Sequence, residues 1–228
     1  MRSSGCGSDS VHEVGFTAGG ARLDALFLRP AGARLHYVLA HGAGAGMRHH
    51  WLQRMADALA EEGVATFRYE FPYLQDGRKR PDPPAVLHET VRAAVLAAQE
   101  AAPDLPLIAG GKSFGGRMTT QAQAEAPLPG VRGIALLGFP LHPAGAPSVK
   151  RAEHLPRVAV PLLFLQGTRD ELADLALHRP IVEKLPRAVL HIVDGADHSF
   201  HVLKRSGRTD AEVLRELART VAEWGNGL

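Results

Sequence analysis

Apolar residues along this chain come in short β-branched-rich runs, each followed by a longer segment with helical spacing. The runs predict strands at 11–16, 22–30, 35–41, 64–70, 105–111, 131–139, 160–167 and 188–195. The first two read as an antiparallel hairpin across TAGG at 17–20. The later runs are too uniformly apolar for a half-exposed sheet, so they predict parallel strands covered on both faces. Helices are expected over about 48–62, 84–102, 114–126, 171–185 and 210–224. Within 84–102, Val86, Val91, Val95 and Ala98 approximate one stripe, while Glu89, Arg92, Gln99 and Glu100 can face water. Val213, Leu217, Val221 and Trp224 give the final helix a core-packing face.

Strand followed by helix, repeated, predicts an α/β fold: a mostly parallel central sheet with an N-terminal antiparallel hairpin and helices on both faces. Ligands of such sheets bind at the carboxyl ends of the strands, so chemistry is expected there. No internal repeat or long linker divides the chain. Residues 11–228 read as a single domain, preceded by a flexible Gly/Ser-rich tail at 1–10.

Composition removes several function classes. With 45% hydrophobic and 22% charged residues among 228, the chain can bury a sizeable core. Lys+Arg number 26 against 24 Asp+Glu, a near balance that gives no reason to expect nucleic acid as a partner. No apolar run approaches the ~18 residues of a membrane helix, so no membrane partner is expected. Cys6 is the single cysteine, which forbids an internal disulfide and a thiolate zinc cage. The N-terminus has no apolar segment of the secretory kind, and a cytoplasmic setting is expected.

The informative stretch is LPLIAGGKSFGGRM at 105–118, a strand, then Gly111-Lys112-Ser113-Phe114-Gly115, then a helix. At a strand-to-helix turn, GxSxG forces a strained serine to the top of a sheet, and its glycines let strand and helix approach. Ser113 is therefore the candidate nucleophile. A phosphate-binding loop would need glycine where Pro106 stands, so GKS does not carry that function. A serine needs a base, and the base an orienting acid. Asp170 follows the strand VPLLFLQG and His198 follows AVLHIVDG, in the order serine, acid, histidine. Glu171, Asp174, Asp194 and Asp197 are alternative acids, of which the first two fall on the predicted helix and the last two sit close beside His198.

His41-Gly42-Ala43-Gly44-Ala45-Gly46 follows the strand at 35–41. Glycines there free backbone N–H groups to face a developing oxyanion, and Ala43 and Phe114 are the expected donors, with Gly44 as the substitute for Ala43. A dinucleotide fingerprint would require glycine at Met47 and fails. His41 reads as a loop brace. His49 and His50 are adjacent, so they point to different sides of a helix, and no metal is expected. Among the arginines and lysines considered for an entrance (Arg48, Arg68, Lys79, Arg80, Arg117), Arg117 is the best substrate-binding candidate beside Gly44, four residues past Ser113. The polar, Pro-rich loop at 75–84 is expected beside that entrance, and 140–158 is the one stretch with room for a lid.

HG, GxSxG, GxxD and DH in this order, over essentially the whole chain, resemble the α/β-hydrolase superfamily. The short length without an inserted cap is most similar to its dienelactone-hydrolase-related branch. HGAGAGM, RYEFPY, GKSFGGRM and GADHSF are similar to a subgroup that includes testis-expressed protein 30 and the hydrolase-like part of NSL complex subunit 3. The resemblance implies the fold and carries a triad onto Ser113, Asp170 and His198. Dienelactone hydrolase itself uses a cysteine nucleophile, so its substrate is not carried over. The expected activity is a serine hydrolase that cleaves a small ester or related acyl bond through an acyl-enzyme, with no cofactor. The expected partner is a small-molecule ester or acyl substrate, and the expected state is a monomer or homodimer. The competing class is a non-catalytic scaffold that keeps the fold for protein binding.

Overall fold

A computed structural model describes residues 11–228. The expected tail at 1–10, with Cys6, lies outside the described residues. Strands β1 (Val11–Ala18), β2 (Ala21–Leu28), β3 (Leu35–Ala40), β4 (Val64–Tyr69), β5 (Leu107–Lys112), β6 (Val131–Leu137), β7 (Leu162–Gly167) and β8 (Ala188–Val193) build one sheet. Their spatial order is β1-β2-β4-β3-β5-β6-β7-β8. β1 and β2 are the antiparallel hairpin, β2 meets β4 antiparallel, and every later pairing is parallel. β1 runs two residues further than its apolar stretch, because Thr17 and Ala18 still pair with Arg22 and Ala21.

Among the described residues the sheet is joined by six α-helices: α1 (His50–Glu61), α2 (Pro72–Gln75), α3 (Pro84–Ala101), α4 (Phe114–Glu125), α5 (Leu175–Glu183) and α6 (Asp210–Asn226). All six residues of β3, β4 and β7 are buried, as strands covered on both faces require. One apolar layer packs α1 and α6 against Leu35, Tyr37 and Leu39 of β3. The opposite layer packs α3 and α4 against Val38 and Ala40, the alternate side chains of the same strand.

The helices depart from the sequence expectation at their ends, for local reasons. In α3 the buried stripe starts at Leu87 and includes Val91, Ala94, Val95 and Ala98, whereas Val86 is exposed. α1 begins at His50 because His49 Nδ1 accepts the Trp51 N–H as a cap. α5 begins only at Leu175, since Asp174 caps it by accepting the Ala176 N–H. Residues 171–174 instead form the turn that follows Asp170. Segment 140–158 is not a separate lid: Leu141, Ala152 and Leu155 are buried in the core, and the His142 N–H donates to Leu172 O.

The chain winds outward in both directions from the pair β3–β5, with β4 on one side and β6 on the other. The loops after β3 and β5 therefore part at their carboxyl ends and open a crevice.

Candidate active site

Two glycines allow the turn after β5. A Cβ on Gly111 would strike the backbone of Ala40 on the neighbouring strand, and one on Gly115 would lie 2.5 Å from His41 O. Without side chains there, α4 closes down on β3 and the turn at Ser113 becomes sharp. Ser113 takes φ 51° and ψ −114°, a left-handed backbone that costs a non-glycine residue about 1–3 kcal/mol. The Ser113 N–H donates to Leu137 O, which anchors the turn to β6.

Ser113 Oγ lies 2.8 Å from His198 Nε2, and His198 Nδ1 lies 2.8 Å from Asp170 Oδ2. This network has the serine hydroxyl donating to Nε2 and Nδ1–H donating to the carboxylate. Asp170 is buried, which pushes its carboxyl pKa up; hydrogen bonds from His198 and the Leu172 N–H, with the charge of Lys112, outweigh burial and hold it below the ordinary value. Gln166, the one polar residue of β7, also donates to Asp170 Oδ2, at 2.5 Å.

The alternative acids are engaged elsewhere. Asp174 caps α5, Asp194 accepts from the Thr168 hydroxyl, Asp197 accepts the N–H groups of Ser199 and His201, and Glu171 is exposed.

The loop after β3 faces Ser113 and is braced from below. His41 is fully buried; its Nδ1 donates to Gly42 O, and its Nε2 lies 3.3 Å from the Phe71 N–H and 3.1 Å from Glu70 Oε1. Glu70 Oε2 accepts the Met47 N–H, so the loop after β4 holds both ends of the stretch 41–47. The Gly44 N–H donates to the Tyr73 hydroxyl at 3.1 Å. The Ala43 N–H has no intramolecular acceptor among the described residues, and neither does that of Phe114, the first residue of α4. Gly44 is thus spent on Tyr73, and the pair left open is Ala43 and Phe114. The Phe114 ring turns into the core, edge-on to Phe71.

Over Ser113 opens a cavity of about 540 Å³, within the usual range for a small-molecule site. Ala43, Ala45, Trp51, Leu52 and Leu172 form its apolar wall, and His41, His49, His50, Lys112 and His198 its polar side. None of Arg48, Arg68, Lys79, Arg80 or Arg117 lines it. Arg117 lies on α4, the helix that Ser113 caps, but its guanidinium lies 5.7 Å over the Phe114 ring, held to the helix by that contact. Residues 75–84 also contribute nothing to the wall; Arg78 there pairs with Asp76 and Asp82. Among the described residues no group of three His, Cys, Asp or Glu side chains converges in a way that suits a metal ion. No helix of the described residues is long and apolar enough to cross a membrane.

Sequence reasoning did not single out Gln166, Tyr73, Glu70 or Trp51 for the site. A polar residue ending an apolar strand was the available signal for Gln166, and the charge inside RYEFPY for Glu70.

Comparison with known proteins bears on the fold and the family. The chain matches the family described as alpha/beta hydrolase domain over residues 33–226. It is similar to a dienelactone hydrolase from Anabaena variabilis, with 24% identity over 95% of this chain and 96% of that one and a TM-score of 0.73. A Xanthomonas campestris α/β serine hydrolase described as lacking a lid is 20% identical over 94% and 95% of the two chains, with a TM-score of 0.72. The esterase domain of a Rhodothermus marinus protein is 18% identical over 96% and 98%, with a TM-score of 0.70. These structural likenesses carry the fold, and the family match over most of the chain carries membership: the protein belongs to the α/β-hydrolase family.

Proposed function

We propose that the protein is a serine hydrolase that cleaves a small carboxylic ester or related acyl bond. The observation that carries this reading is the continuous chain Ser113 Oγ–His198–Asp170, two contacts of 2.8 Å, at the floor of an open cavity. Ser113 Oγ attacks the carbonyl carbon while His198 Nε2 takes its proton. The tetrahedral oxyanion is met by the N–H groups of Ala43 and Phe114. His198 then protonates the leaving group, and water, activated by the same imidazole, releases the acid and restores Ser113. Asp170 keeps the proton on Nδ1 and stabilises the imidazolium.

The single domain at 11–228 supports a cavity without a cap, and hence small substrates reached directly from solvent. The motifs HGAGAGM and GKSFGGRM support a place in the subgroup of testis-expressed protein 30. One cysteine in the chain supports a reducing, cytoplasmic setting.

Labelling with a fluorophosphonate, followed by peptide mapping, tests the assignment. Modification confined to Ser113 is the expected result. A folded protein that resists the probe and turns over no ester would reject catalysis in favour of a scaffold role.

A further inference from the structure

Lys112, the residue before Ser113, has no part in the mechanism above, yet its side chain crosses to the histidine loop. Its Nζ donates to the backbone carbonyl of His198 at 2.5 Å. The same ammonium lies 5.3 Å over the Phe200 ring and 5.7 Å over that of Trp51, whose rings stack at 6.0 Å. One cation thus ties the nucleophile turn to α1 through Trp51 and to the loop after β8 through both His198 and Phe200.

The tie meets that loop where its backbone is strained. Phe200 has φ 60°, a left-handed backbone that is an outlier for so bulky a residue. The His198 side chain is a quarter exposed and its own hydrogen bonds end on Ser113 and Asp170; Asp197 ties the neighbouring N–H groups of Ser199 and His201, and Lys112 takes the His198 carbonyl itself. A Cβ on Gly138, after β6, would come within 3.0 Å of Nζ, so the strand end is left bare where the ammonium passes.

Resting on the hydrolase reading, we infer that Lys112 is a positioning residue: its ammonium, held against two aromatic rings, fixes the His198 carbonyl and through it the imidazole against Ser113. The charged and titratable groups that face Lys112 are Asp170 after β7 and Asp197 and His198 after β8. His49 and His50, at the start of α1, line the same cavity. Burial lowers the Lys112 pKa to about 8, against the opposing pull of Asp170 and Asp197. Above that pH the amine keeps a hydrogen for the carbonyl but loses its attraction to both rings, and the clamp loosens.

The test compares wild type, Lys112→Met and Lys112→Arg, each checked for its fold by circular dichroism. Readouts are kcat and KM on a short p-nitrophenyl ester and the rate of fluorophosphonate labelling, from pH 6 to 10. Lys112→Met is expected to lose about 10²-fold in kcat, the cost of a catalytic group displaced by an ångström, with KM little changed. Lys112→Arg should recover most of that loss. Wild-type activity should fall above about pH 8, and this limb should be missing from Lys112→Arg, because a guanidinium stays charged there. A folded Lys112→Met with wild-type kcat would overturn the assignment. So would a Lys112→Arg profile with the wild-type alkaline limb, a comparison that stands even where the methionine variant does not fold. Wild-type protein that resists the probe rejects the hydrolase reading itself; labelled wild type with indifferent variants rejects only the role of Lys112.

Discussion

The Gln166 side-chain amide donates to Asp170 Oδ2, the oxygen that also takes the His198 Nδ1–H, while the Leu172 N–H donates to Oδ1. A carboxylate at the end of β7 therefore gathers three donors, one of them from inside its own strand. This makes Asp170 a structural acid as well as the orienting one, although its place in a loop suggests a side chain that could be removed at little cost.

Asp170→Asn should accordingly lower both rate and stability. The rate is expected to fall about 10⁴-fold, because the histidine remains with the wrong tautomer favoured. Stability at neutral pH should fall by about 1–3 kcal/mol, the cost of leaving buried donors poorly matched. The pH dependence follows from the lowered carboxyl pKa: the wild-type advantage is present above the unfolded value of 3.8 and is lost as pH falls through the folded one. Urea midpoints of the two proteins at pH 7 and pH 3 check this; a gap that widens on acidification would contradict it.

Ser113→Ala, His198→Ala and the double variant should be almost equally inactive. Either single change already disables the shared step, and in serine hydrolases the common loss reaches about 10⁶ in kcat. Both side chains are only partly buried, so melting temperatures should stay close to wild type. Turnover beside thermal denaturation for all three variants makes the comparison. Additive losses would mean that the two residues do not act as a unit.

Gly115→Ala tests the close approach on which the site depends. Its methyl would lie 2.5 Å from His41 O and 2.6 Å from the Ala40 side chain, and backbone cannot yield as a flexible side chain would. Overpacking of this kind costs about 1–3 kcal/mol. The displaced loop carries Ala43, so kcat/KM should drop about 10²-fold, in line with a misplacement near one ångström. Denaturant unfolding and ester kinetics on one preparation read both effects.

Acyl length provides the last test. A cavity of about 540 Å³ walled by Trp51, Leu52 and Leu172, with no lid among the described residues above it, should favour short p-nitrophenyl esters over long ones. Specificity constants across a series from acetate upward are the measurement. Preference for chains of twelve or more carbons would contradict the reading of the cavity.

The sequence by itself determined the order of strands and helices, since residues on one sheet face or one helix stripe follow from periodicity alone. It also pointed to Ser113, Asp170 and His198, because a strand-to-helix turn and two strand ends are local features that place these residues at one edge of the sheet. The rest depended on partners far along the chain. Only packing decided that Tyr73 takes the N–H of Gly44 and leaves that of Ala43 open, since the two residues meet across two strands of the sheet. Only packing turned Arg117 over Phe114 and away from the cavity, and brought Lys112 against a carbonyl 86 residues away. Periodicity fixes which side of an element a residue occupies, but which groups meet there is set by how elements from distant parts of the chain fill the same space.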